Sequence, residues 1–187
     1  MTPKHAGPAL VLPVGVRDHA EGSAHAAATL VEYGDYECPH CGRAYPIVKA
    51  VQKKLGARIR FVFRNFPITE IHPHAAGAAE AAEAAGAQGR FWEMHDAIFE
   101  HQDALEPEQL LDYATRLGID SERVARELES HAHAARVRED FMSGVRSGVN
   151  GTPTFFLNGE RYDGSWDRED LLATLEAAIE AGTQQSR

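Results

Sequence analysis

The chain has 187 residues, 43% of them hydrophobic, and is long enough to bury a full core without disulfide staples. Its formal net charge is −9 and its basic residues form no cluster, which argues against a nucleic-acid partner. No apolar run approaches the ~18 residues that a membrane-spanning helix needs, so we expect no membrane span.

Residues 1–27 are rich in Pro, Gly, Ala and His and predict an N-terminal lead-in with a short strand at 10–14. Lys4 and His5 precede an apolar segment, as at the start of a signal peptide. Prolines and a glycine interrupt that segment, however, and charged residues follow it, which is not typical of a signal peptide. The sequence therefore predicts no cleaved signal and a cytoplasmic location.

The next segment, 28–67, has the pattern of a strand, a helix and a second strand. Residues 29–35 are apolar and β-branched and end in Gly and Asp, which predicts a buried strand. Apolar residues then recur at helical spacing from 38 to 55. Residues 58–64 alternate charged and apolar side chains and predict the second strand.

Segment 68–147 carries helical periodicity almost throughout. Five helices are predicted there: 75–87, 90–101, one beginning at Pro107, one capped by Asp120 and one through Val137 and Phe141.

Segment 148–182 returns to a strand pattern at 154–157, where Asn158-Gly159 predicts a hairpin turn. A last helix follows, capped by Asp167, and 183–187 form a polar tail. Segments 28–67 and 148–182 are therefore expected to form one α/β domain, a mixed sheet covered by helices, into which the helical segment 68–147 is inserted.

Both cysteines of the chain, Cys38 and Cys41, stand three positions apart at the start of the first predicted helix. So short a loop constrains the unfolded chain little, whereas the spacing is common in redox and metal sites. The backbone N–H groups and dipole of the helix N-terminus stabilise a thiolate. Pro39 suits the first helical turn, and His40 adds positive charge or a hydrogen-bond donor. Cys38 is therefore the predicted nucleophile, and Cys41, one turn deeper, the resolving thiol.

Half of a zinc site is the alternative interpretation of this pair, although two of the ten histidines would then have to complete it. His72 and His74 are not expected to bind metal, since side chains two residues apart on a helix do not share a face. Asp35 and Glu37 are expected to lie in a solvated loop, where screening weakens their effect on the sulfur. No metal is expected, and no cofactor beyond a redox-active disulfide.

The tetrapeptide Cys38-Pro39-His40-Cys41 resembles the motif of the DsbA-type branch of the thioredoxin superfamily. The resemblance to that branch covers roughly residues 28–182. The resemblance implies a thioredoxin-like fold with an inserted all-helical subdomain. It also implies a protein disulfide oxidoreductase whose partners are protein or small-molecule thiols and disulfides, together with a redox partner that resets the cysteines.

Three further positions match the pattern of that family. Thr152-Pro153 resembles its cis-proline loop, in which the backbone of Thr152 would pair with an extended substrate. Glu32, six residues before the first cysteine, matches its buried acid, which would exchange protons with the resolving cysteine. Pro46 matches the kink of its active-site helix. The alternatives are an ordinary trans proline opening a strand, and a strand nearer the edge of the sheet, from which Glu32 reaches solvent or an arginine.

The direction of electron flow depends on location. The DsbA relative has a potential of about −120 mV, and a cytosol near about −280 mV would favour its dithiol by about 7 kcal/mol. A cytoplasmic relative is therefore predicted to reduce or isomerise disulfides. Two other functions stay open: a glutathione-dependent transferase or isomerase of kappa-class-like architecture, which commonly has serine in place of Cys38, and a non-enzymatic metal-binding or chaperone module.

Overall fold

The structure, a computed structural model, describes residues 8–185 and their side chains as far as Gly182. Residues 1–7 of the predicted lead-in, with Lys4 and His5, and residues 186–187 of the predicted tail lie outside the described residues. Within residues 8–185, no helix combines the length and apolar character needed to cross a bilayer.

The chain divides into two compact units. The first contains the chain up to Tyr33, Arg43–Arg64, and the chain from Ser143 onward; the second contains Gly34–Gly42 and Asn65–Met142. The cysteines therefore belong to the second unit, together with the helical segment.

The sheet has five strands in the order β1-β3-β2-β4-β5. The strands are β1 His19–Glu21, β2 Ala28–Gly34, β3 Ile59–Asn65, β4 Thr154–Leu157 and β5 Glu160–Tyr162. The pairs β1/β3, β2/β4 and β4/β5 are antiparallel, and β2 is the central strand. Buried side chains of β2, β3 and β4 form the core of the first unit, and each large one contributes roughly 1.5–3 kcal/mol.

The strand predicted at 10–14 is wrong, because the lead-in strand is β1. The carbonyls of Leu12 and Pro13 accept hydrogen bonds from the guanidinium of Arg64, at 2.9 and 3.3 Å, instead of joining a ladder. Arg64 itself is wholly buried. The backbone of the lead-in therefore serves a buried cation.

The first unit also contains helix α7 Arg168–Gln185 and, from Arg43 onward, helix α1 Pro39–Leu55, whose first residues belong to the second unit. Helix α7 continues into the predicted polar tail 183–187. Gly182 therefore does not end the helix; a Cβ there would lie 3.1 Å from the carbonyl oxygen of Ala27, so the glycine permits a close approach.

The second unit contains the helices α2 Ala75–Gly86, α3 Phe91–Glu100, α4 Pro107–Arg116, α5 Ser121–Glu129 and most of α6 Ala134–Arg146. They correspond to the predicted helices. Asp120 caps α5 by accepting the Arg123 amide at 2.9 Å, and Pro107 opens α4. Helix α2 buries seven alanines, whose small side chains let neighbouring helices approach closely.

Candidate active site

The two cysteines lie where β2 gives way to α1. Cys38 immediately precedes Pro39, the first residue of α1, and its carbonyl accepts the Gly42 amide at 3.1 Å, which closes the first turn. Cys38 is 4% exposed and Cys41 is fully buried. A sulfur at this position lies at the positive end of the helix dipole, which stabilises a thiolate.

Asp35, in the loop before the motif, contradicts the expectation of a solvated carboxylate, because it is only 1% exposed. Its Oδ1 accepts the Glu37 amide, and its Oδ2 accepts the Ile68 amide and faces Nδ1 of His72, each at 2.8 Å. Because an ionised carboxylate only accepts hydrogen bonds, the Nδ1 of His72 is assigned as the donor. Asp35 is thus a buried acceptor of three hydrogen bonds.

The main chain of Asp35 reaches both cysteines. Its N–H donates to Sγ of Cys41 at 3.4 Å, and its carbonyl accepts the N–H of Cys38 at 3.1 Å. A donor on sulfur stabilises a thiolate more than a thiol, because hydrogen bonds to a charged acceptor are stronger. The backbone at Asp35 therefore supports the charged form of the deeper cysteine.

His74 and Glu37 form a second link to the same loop. Glu37 accepts the His74 amide at 2.6 Å and faces Nδ1 of its ring at 2.8 Å, while Glu106 lies 3.0 Å from Nε2. The hydrogen bond to Glu37, with the charges of both carboxylates, raises the pKa of His74 despite some desolvation. The two histidines precede α2 instead of lying on it, and each faces a carboxylate. Within residues 8–185, no three His, Cys, Asp or Glu side chains group as a metal site requires.

Gln102 is a site residue that the sequence did not indicate. Its Nε2 donates to the carbonyls of Tyr36 and Cys38, at 2.7 and 3.0 Å. A Cβ on Gly42 would lie 1.8 Å from Oε1 of Gln102, so this glycine leaves the space that the glutamine occupies. Gln102 stands in a polar stretch after α3 without periodicity, where no sequence signal distinguishes it.

The other predicted site residues lie on α1, on β2 and directly before β4. His40 is exposed at the start of α1, and Pro46 lies inside that helix. Glu32 is 3% exposed on the central strand β2, opposite Phe155 of β4, so a position near the edge with contact to solvent is wrong. The Thr152–Pro153 peptide bond is cis and directly precedes β4. The roles assigned to these residues from the sequence stay predictions.

Residues 15–177 match the family model described as Thioredoxin. The chain belongs to the thioredoxin family. Its fold is similar to that of BdbD from Bacillus subtilis, with a TM-score of 0.81 and 25% identity over 94% of this chain and 97% of that one. A thioredoxin-like oxidoreductase from Silicibacter pomeroyi aligns with a TM-score of 0.77 and 26% identity, covering 89% and 94% of the two chains.

The alpha-DsbA1 of Wolbachia pipientis aligns with a TM-score of 0.82 over 95% of this chain and 98% of its own. At 16% identity this likeness shows the fold alone. The predicted thioredoxin-like α/β fold and the resemblance to DsbA-type proteins are confirmed, and the fold supports a disulfide oxidoreductase.

Curated relatives that this chain matches in sequence are named as Na(+)/H(+) antiporters. The chain is 48% identical over 176 residues to Na(+)/H(+) antiporter NhaA 1 of Salinispora arenicola, which covers 94% of this chain and 27% of that protein. It is 46% identical over 171 residues to NhaA 3 of Salinispora tropica, covering 91% and 26%. The chain thus spans about a quarter of the length of these relatives.

Proposed function

We propose that the chain exchanges disulfides with protein substrates through Cys38-Pro39-His40-Cys41, with Cys38 attacking and Cys41 resolving. The observation that carries the proposal is the position of Cys38 at the N-terminus of α1, with Cys41 receiving the Asp35 N–H. Both features favour a thiolate, and the thiolate is the form that attacks a disulfide.

In the reducing direction, the Cys38 thiolate attacks one sulfur of a substrate disulfide, and the other substrate sulfur leaves as a thiolate. The Cys41 thiolate then attacks Sγ of Cys38 and releases the second substrate thiolate. The motif ends as a disulfide, oxidised by two electrons, and the substrate is reduced by two. Every step reverses in an oxidase. Glu32 is the proposed proton carrier, and the backbone of Thr152 the proposed substrate contact.

We favour reduction or isomerisation over net oxidation, on the proposal that the chain works in a reducing compartment. The names of the antiporter relatives describe proteins of which this chain matches 27% and 26%. Ion exchange is therefore not proposed for this chain. A cysteine at both ends of the motif, instead of the serine common in kappa-class transferases, supports disulfide exchange over glutathione transfer.

The test is a trapping experiment. Cys41→Ser removes the resolving thiol, so the variant should accumulate covalent adducts with disulfide-containing proteins that dithiothreitol releases. The parent protein should catalyse the reduction of insulin by dithiothreitol. Cys38→Ser is the matched control and should form no adduct. The proposal is rejected if the parent does not reduce insulin and Cys41→Ser traps nothing.

A further inference from the structure

We propose that His72, acting through Asp35, is a positioning residue for the resolving thiol of Cys41. The inference rests on the proposed function, in which Cys41 completes the exchange. The contact that matters here is between Nδ1 of His72 and the carboxylate of Asp35, at 2.8 Å. His72 therefore acts on the sulfur indirectly.

Burial makes this contact matter. The side chain of Asp35 is 0% exposed and that of His72 is 14% exposed. A carboxylate removed from water is strongly destabilised unless donors replace its hydration. Two of its donors are backbone amides, those of Glu37 and Ile68, and the third is the His72 ring. Removing the ring leaves a buried oxygen with one donor fewer.

The turn that presents His72 closes around the same carboxylate oxygen. The amides of Ile71 and His72 both donate to the carbonyl of Ile68, at 3.0 and 2.9 Å. The first N–H of the turn and the side chain of its last residue therefore both meet Oδ2 of Asp35. This geometry fixes the orientation of the carboxylate and, with it, of the Asp35 peptide.

The backbone of Asp35 in turn provides a hydrogen bond to the sulfur of Cys41. Its N–H is the donor to Cys41 Sγ, at 3.4 Å, and its carbonyl accepts the Cys38 amide. If Asp35 turns toward another donor, its N–H leaves the sulfur. Glu37 and His74 pair with each other, and Glu70, the remaining charged side chain of the turn, is exposed.

The two thiol steps are separable with 5,5′-dithiobis(2-nitrobenzoate), a small aromatic disulfide. Attack by Cys38 releases one coloured thiolate, and attack by Cys41 on the mixed disulfide releases the second. In His72→Ala, we expect the second phase to slow by about tenfold, as loss of a hydrogen bond to a charged group implies, while the first phase changes by less than about twofold.

Two variants give the experiment its controls. In His72→Asn, an amide N–H replaces the Nδ1 donor, so the second phase should recover to within about threefold of the parent rate. His131→Ala removes another imidazole of the second unit, one that faces Glu80 instead of Asp35, and should leave the second phase unchanged.

Three results would overturn the inference: an unchanged second phase in His72→Ala, equal slowing of both phases with a lowered melting temperature, or no recovery in His72→Asn. Failure of the proposed function looks different, because the parent protein itself would then release no second thiolate after the first.

Discussion

Gly42 and Gln102 are matched to each other at the start of α1. A methyl group on Gly42 meets the end of the glutamine side chain, at 1.8 Å, so the glutamine has to move and abandon the carbonyls of Tyr36 and Cys38. We predict that Gly42→Ala lowers the free energy of unfolding by about 1 kcal/mol, because the loss of two hydrogen bonds from Gln102 exceeds the gain in helix propensity. Urea denaturation measures this loss.

Gly77, inside α2, is the control, since a Cβ there meets nothing within 4 Å. Gly77→Ala should stabilise the protein by roughly 0.5–1 kcal/mol, because alanine is the better helix former. Gln102→Ala should cost about as much as Gly42→Ala, and the double variant little more than either alone, since both remove the same two bonds. Equal stability of Gly42→Ala and Gly77→Ala would contradict this account.

The chemistry of single residues was predictable where it is local. Cys38, Pro39 and Cys41 lie within one helical turn, and the helical periodicity of 38–55 that follows the predicted strand placed them at a helix N-terminus. Asp35 was misjudged because its partner His72 stands 37 residues away, and Gln102 was missed because it stands 64 residues from Cys38. Burial created by such distant contacts leaves no periodic trace.

Strand β3 carries a buried charged side chain, Arg64, which is held by several hydrogen bonds. The alternating pattern of 58–64 is typical of a half-exposed strand, yet Arg64 is 0% exposed. Its guanidinium donates to both carboxylate oxygens of Asp18, at 2.8 and 3.2 Å, and to the hydroxyl of Tyr33 at 2.9 Å. Burial alone would lower the pKa of Arg64. The hydrogen bonds from Arg64 to Asp18 and Tyr33 outweigh this effect and raise that pKa.

We predict that Asp18→Asn destabilises the protein by about 3–5 kcal/mol at pH 7, because it leaves the Arg64 cation buried without its anion. Burial works to raise the pKa of Asp18, but hydrogen bonds from Arg64 and the Gly15 amide outweigh it and lower that pKa. A lowered folded-state pKa means that the stabilisation is complete above the ordinary value of 3.8 and is lost as the pH falls through the folded value.

Urea denaturation of the parent and Asp18→Asn at pH 7 and near pH 3 measures this dependence. The gap between the two proteins should shrink at the lower pH. Asp163→Asn is a matched control, since that carboxylate is 68% exposed and pairs with Arg161 at the surface, where about 0–1 kcal/mol is expected. A gap that does not change with pH would contradict the assignment.

Elements with strong periodicity were predictable, and weak ones were not. The helix predicted at 75–87 is observed as Ala75–Gly86, and the strand at 154–157 as Thr154–Leu157. The edge strand β1, His19–Glu21, has no apolar alternation and forms through antiparallel pairing with β3. Pairing with a distant strand, and not the local sequence, created it.

At the scale of the whole molecule, the direction of electron flow is a difference between two stabilities. A motif disulfide oxidises its partners strongly when the folded chain prefers the dithiol form. The helix N-terminus and the Asp35 amide act on thiolates, which are present only in the dithiol form. A protein held as a dithiol begins its cycle with Cys38 ready to attack, as an isomerase requires, although the same stability makes it a weak net reductant.

We therefore predict that the dithiol form unfolds at a higher urea concentration than the disulfide form. The difference in free energy of unfolding should be about 1.5–3 kcal/mol, the range for hydrogen bonds to a charged acceptor. Closing so short a loop contributes little to the disulfide form, so it does not reverse the sign. Equilibration with glutathione buffers supplies an independent measurement, because the same difference sets the fraction of the motif that is oxidised. Cys38→Ser, which forms no motif disulfide, is the control and should unfold identically with and without reductant. A disulfide form more stable than the dithiol would place the chain among strong reductants and would remove thiolate stabilisation as the basis of its direction.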